Sequence, residues 1–88
     1  MILSKAIRKY GADMQQVIAI EEMAELTKEL CKYKRGQDNF DHIAEEIADV
    51  EIMMEQLKIM FNAHEEVDTY KAKKLKRLEE RLNLERNK

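Results

Sequence analysis

Between Glu21 and Val50 the chain has one strong interruption of helix-forming sequence, Arg35-Gly36-Gln37-Asp38-Asn39. The sequence has no proline and only two glycines, and the stretches on either side of the break are rich in Glu, Ala, Met and Leu. These are strong helix formers, and few β-branched residues oppose them. A single short break between two long helices predicts a hairpin. In a hairpin, facing residues have numbers with a constant sum. Glu22 with Asp49 and Glu25 with Glu46 both sum to 71, which centres the fold-back between Arg35 and Gly36. Ile18 and Met53 share that sum and form an apolar contact one turn further from the break.

The acids stand in two pairs, Glu22 with Glu25 and Glu46 with Asp49. Residues three apart on a helix share a face. One such pair is ordinary on helices this charged and reads as a solvated face. Two pairs meeting across one hairpin are different. Leu26 and Val50 flank them, and no Lys or Arg lies in the same stripe. Uncompensated buried carboxylates cost several kcal/mol per ion. A hard cation removes that cost, and Mg²⁺ works through a few carboxylates, water and substrate phosphates. The seam therefore reads as a Mg²⁺ site, with Mn²⁺ as the substitute ion. A di-iron carboxylate bundle needs Glu-x-x-His pairs. Asn39 and Phe61 stand three residues before His42 and His64, so that reading fails.

At 88 residues the chain is read as one all-α domain over 1–88, near the lower size limit for a stable core. The long helices are expected at about 13–34, 40–61 and 64–84, after a short helical turn or two in residues 2–10. Gly11 breaks the chain there, and Asp13 is the expected cap of the first long helix. Asp38 or Asn39 is the expected cap of the second, and Asn62 ends it. Two hairpins would combine into a four-helix-bundle-type dimer or tetramer that covers the remaining apolar positions. There is no apolar run of membrane-spanning length and no signal peptide, so no membrane partner is expected. The single cysteine, Cys31, excludes an internal disulfide and fits a reducing cytoplasm. A net charge of −2 argues against general nucleic-acid binding. That balance conceals a basic run in residues 71–77. Tyr70, Lys74, Arg77 and Arg81 recur at i, i+4, i+7 and i+11, forming one stripe that suits an anion. The competing reading of these cations is complementation of the helix dipole at its C-terminal end.

Glu22-x-x-Glu25 followed by Glu46-x-x-Asp49, with Tyr10-Gly11, Gln15 and the runs around both acidic pairs, resembles the MazG-like, all-α nucleoside triphosphate pyrophosphohydrolases. The likeness covers roughly residues 8–82. It implies a homodimer or homotetramer of helical hairpins that uses Mg²⁺ to cleave a nucleoside triphosphate between its α and β phosphates. The products are the monophosphate and pyrophosphate, and the role is house-cleaning of the nucleotide pool. Carried onto this chain, Glu22, Glu25, Glu46 and Asp49 hold the metal and form the catalytic group. One of the glutamates, or Glu21 or Glu45 beside them, activates water. Lys74, Arg77 and Arg81 clamp the phosphates, Tyr70 stands near them, and Gln15 and Gln56 read the base. The Trp that several members stack on the base has no counterpart here; Phe40 and Tyr10 are the substitutes. The alternative class is a non-catalytic helical module for nucleotide binding or protein interaction.

Overall fold

The computed structural model describes residues 1–86 as four helices with no strand among them: α1 (Ile2–Tyr10), α2 (Ala12–Lys34), α3 (Phe40–Phe61) and α4 (His64–Arg86). The chain is all-α, as the lack of proline and the helix-forming composition require. The expected bounds of the two central helices hold to within one residue. The first segment exceeds its expected turn or two and makes nine residues of helix.

Gly11 ends α1 and begins α2 in one residue. Its backbone sits at φ 90°, a conformation open to glycine and strained for other residues. Its N–H donates to the Ile7 carbonyl, while its own carbonyl accepts from the Gln15 N–H. Because α2 starts at once from Ala12, Asp13 does not cap it, contrary to the sequence expectation. Asp13 lies inside the first turn, where a carboxylate still complements the positive end of the helix dipole.

The turn between α2 and α3 is built on Gly36, at φ 95°. Its N–H donates to the Tyr33 carbonyl at 2.9 Å, and the Gln37 N–H reaches back to Lys32 at 3.1 Å. These bonds satisfy carbonyls that the end of α2 leaves open. Asn39 occupies the residue before α3, yet its side chain does not cap that helix. Instead its Nδ2 donates to the Glu29 carbonyl at 2.9 Å and to Glu29 Oε1 at 3.0 Å. Asn39 is only 7% exposed. The clamp ties the start of α3 back to α2, and Lys32 Nζ closes it with a 3.1 Å contact to Glu29 Oε2. The Asn39 hydrogen bond first, and Lys32 after it, hold the Glu29 carboxyl below its ordinary value; His42 adds only a small favourable field from across the turn.

α2 and α3 pack antiparallel along their length, and α1 lies against both. Ala19 and Met53 are the buried apolar residues of this seam. Ile18, Leu26, Val50 and Leu57 are half-buried around them. α4 packs on α3 alone. Asn62, in the left-handed conformation expected of it, turns the chain. His64 Nε2 then meets Glu55 Oε1 at 2.7 Å, and Val67 rests beside Met54, Leu57 and Lys58. Beyond Val67, every residue from 68 to 85 is exposed. The result is a flat body of 54 × 38 × 18 Å. No described helix is long and apolar enough to cross a membrane.

Asn39→Ala removes both donated bonds to Glu29 and is expected to lower Tm by about 5 °C or more in a thermal melt, with Asp38→Ala as a near-neutral control. The Glu29 contribution carries a pH sign. Its folded-state pKa is depressed, so the stabilisation is present above the ordinary carboxylate range and is lost as pH falls through the lowered value. The difference between Asn39→Ala and the unmodified chain should therefore shrink in acid.

Candidate metal centre

The register that the turn imposes sets Glu22 of α2 opposite Glu46 and Asp49 of α3. One carboxylate oxygen from each lies within 4.8 Å of the other two, and all three residues are half-buried. Burial raises the pKa of Glu22 above its ordinary value. Repulsion from Asp49 and a hydrogen bond to it come next, followed by the same two effects from Glu46. Each effect favours a proton on Glu22, because like charges this close cannot all ionise cheaply in a partly dry seam.

The neighbouring oxygen makes the same point differently. Glu46 Oε2 is buried and has no hydrogen-bond partner. A buried carboxylate oxygen without a donor is expensive. Among the described residues no Lys or Arg forms an ion pair with any of the three acids. Two ways remain to satisfy the group: a shared proton, or a cation taking one oxygen from each residue. Three carboxylates are a hard, all-oxygen donor set that suits Mg²⁺ or Mn²⁺ better than softer ions.

The other expected site residues fall into three groups. Glu25 lies one turn along α2 from Glu22; its side chain is exposed and is not among the three that converge. Glu21 and Glu45 are exposed beside the cluster. Gln15 and Gln56 face the seam as the register requires, but both are only 4% exposed, and Gln56 Oε1 has no donor. They sit beyond the Ala19 and Met53 layer from the acids, inside the hairpin. Tyr70, Lys74, Arg77 and Arg81 lie on the exposed part of α4, a helix that has no contact with α2. Within one chain, the cationic stripe and Glu22 thus belong to elements that do not touch. Phe40 and Tyr10 are both exposed.

The Asn39 and Glu29 clamp escaped the sequence reading. Asn before a helix ordinarily signals a cap, and nothing local distinguishes an Asn that bonds ten residues back. The one signal in the sequence is the constant sum of 71, which sets Glu29 opposite His42, close to the turn.

No protein-family model, curated protein or solved structure matches this chain.

The raised pKa of Glu22 carries the opposite sign from that of Glu29. Stability tied to a neutral Glu22 is present below the ordinary carboxylate range and is lost as pH rises through the raised value. Glu22→Gln is neutral at every pH. In EDTA at neutral pH it is expected to raise Tm by a few degrees relative to the unmodified chain. Added Mg²⁺ or Mn²⁺ should reverse the order, because a ligand that binds only the folded state stabilises it in proportion to ln(1 + [L]/Kd). Thermal melts in EDTA and across a Mg²⁺ series check both.

Proposed function

We propose that this chain is a Mg²⁺-dependent nucleoside triphosphate pyrophosphohydrolase that cleaves the α–β phosphate bond and works as a homodimer or homotetramer. The observation that carries the reading is the convergence of Glu22, Glu46 and Asp49 around a buried, partnerless carboxylate oxygen. The likeness of both acidic pairs to the MazG-like pattern supplies the reaction. Glu22, Glu46 and Asp49 would hold the ion, with Glu25 the fourth candidate one turn away. A bound Mg²⁺ neutralises charge developing on the phosphates and lowers the pKa of its water.

The chain's own residues carry the remaining tasks. Glu21 and Glu45 are exposed next to the cluster, where a carboxylate can accept a proton from the attacking water. Lys74 and Arg77, with Arg81, are the phosphate ligands, Arg by two parallel bonds to adjacent oxygens. Tyr70 lies in the same stripe and adds a hydroxyl donor. Gln15 and Gln56 are too buried to read a base from inside a closed hairpin; Phe40 and Tyr10, the stand-ins for the missing Trp, are both exposed. The surface supports the assembly part of this reading. Ile20, Leu30, Ile47, Phe61 and the leucines of α4 are exposed, more apolar side chains than a small monomer keeps in water.

A second reading is a helical module that binds nucleotide or protein without turnover. It draws on the same separation of α4 from the acids. Turnover tells the two apart. Pyrophosphate release from a panel of unmodified and modified nucleoside triphosphates is expected with Mg²⁺ and not with EDTA. Glu46→Gln should lower kcat by more than about 100-fold, beyond the usual loss for a residue outside the ligand shell. Glu25→Gln should lower it less. Metal binding without any turnover on the panel would favour the module.

A further inference from the structure

α1 is held to the hairpin by little. None of its nine residues is buried. Leu3, Ser4, Ala6 and Ile7 are half-buried and make the stripe that meets α2 and α3, while Lys5, Arg8 and Lys9 stand in water. The side-chain contacts of α1 are internal. Ser4 Oγ turns to Met1 Sδ at 3.9 Å, and Lys9 Nζ lies 5.5 Å from the centre of the Tyr10 ring. Among the described residues, no side-chain hydrogen bond and no ion pair ties α1 to α2 or α3. A nine-residue helix gains too little from its own backbone bonds to stand alone in water, so a short apolar stripe is what keeps α1 in place.

What that stripe covers is polar. Gln15 lies one turn inside α2 from the joint at Gly11, and Gln56 is its partner across the seam. Both are 4% exposed. Glu22, Glu46 and Asp49, further along the same seam, are only half-buried. Two paired helices leave the flanks of their seam open to water, so the deeper burial of the glutamines needs a third element in contact with both helices. α1 is that element, since α4 touches α3 alone. The cover does not satisfy what it hides. Gln56 Oε1 is buried without a donor, and an acceptor taken from water without replacement opposes closure.

The joint permits movement. Gly11 is the single residue between α1 and α2, it sits at φ 90°, and no atom beyond its neighbours would crowd a side chain built there. At the other end of the seam, by contrast, Asn39 bonds Glu29 twice across the turn.

We propose that α1 is a hinged cover that leaves the hairpin at Gly11 while α2 and α3 stay paired, opening Gln15 and Gln56 to water. The apolar stripe favours the closed form, and hydration of the two carboxamides favours the open one. Access to this polar pair is then set by α1, while the hairpin stays together through Ala19 and Met53. The device operates whether or not the seam binds a metal or turns over a nucleotide.

Native-state hydrogen exchange on the full chain reads the opening. At neutral pH the backbone amides of residues 5–10 are expected to exchange on the order of 100-fold faster than those around Ala19 and Met53. Low urea should speed exchange in the α2 and α3 core and leave that of α1 nearly unchanged, because a local opening exposes little surface. By NMR, the side-chain NH₂ protons of Gln15 and Gln56 should report the same opening constant as α1. If α1 exchanges at the rate of the core and climbs with urea in step with it, α1 leaves only on global unfolding and the proposal falls. Glutamine side-chain protons that follow the core would overturn it equally. Gln56→Met keeps the length of the side chain and removes the partnerless oxygen. It is expected to slow the exchange of α1 by about tenfold. An unchanged or faster rate would overturn the part given to Gln56.

Discussion

The seam between α2 and α3 is the contact on which the rest of the molecule depends. It is not a uniform apolar interface. Polar layers alternate with apolar ones: Gln15 and Gln56, then Ile18 and Ala19 with Met53, then Glu22 with Glu46 and Asp49, then Leu26, and at the turn Glu29 with Asn39. Polar groups at packed positions cost stability and constrain register, because a slip of one turn would set each of them against an apolar neighbour. The apolar layers hold the helices together. The polar layers decide which residues meet.

Those polar layers differ in how well they are satisfied. At the turn, Asn39 donates twice to Glu29 and Lys32 neutralises the charge, so the Glu29 carboxylate is satisfied, while Asn39 Oδ1 stays buried without a donor. In the middle, three carboxylates face one another and one buried oxygen has no partner. What sets the middle layer apart is that its groups are three carboxylates with no cationic partner among the described residues. The turn supplies the rigidity; the middle keeps the unpaired charge that a cation can use.

α4 is governed by different physics. It leaves the hairpin after Val67 and keeps its leucines and cations in water. An isolated helix of this composition gains little from propensity alone, and amphipathic helices draw most of their stability from packing. The same need for a covering surface applies to the outer apolar side chains of α2 and α3. Among the described residues these side chains stay exposed.

Most of the architecture was legible in the sequence. The absence of proline, the positions of Gly11, Gly36 and Asn62, and the constant sum across the break determined the three long helices and the pairing of Glu22 with Asp49, and marked residues 2–10 as helical without giving the full helix they form. These are local or one-dimensional signals, so a sequence carries them directly. Tertiary structure alone decided the rest. It left Glu25 exposed while Glu22, Glu46 and Asp49 converged, because helix rotation depends on side-chain packing across the seam. It turned Asn39 from a cap into a clamp, because Glu29 offered two acceptors at the right height. It held α4 away from the acids, because the left-handed turn at Asn62 and the contact of His64 with Glu55 set a direction that no periodicity encodes.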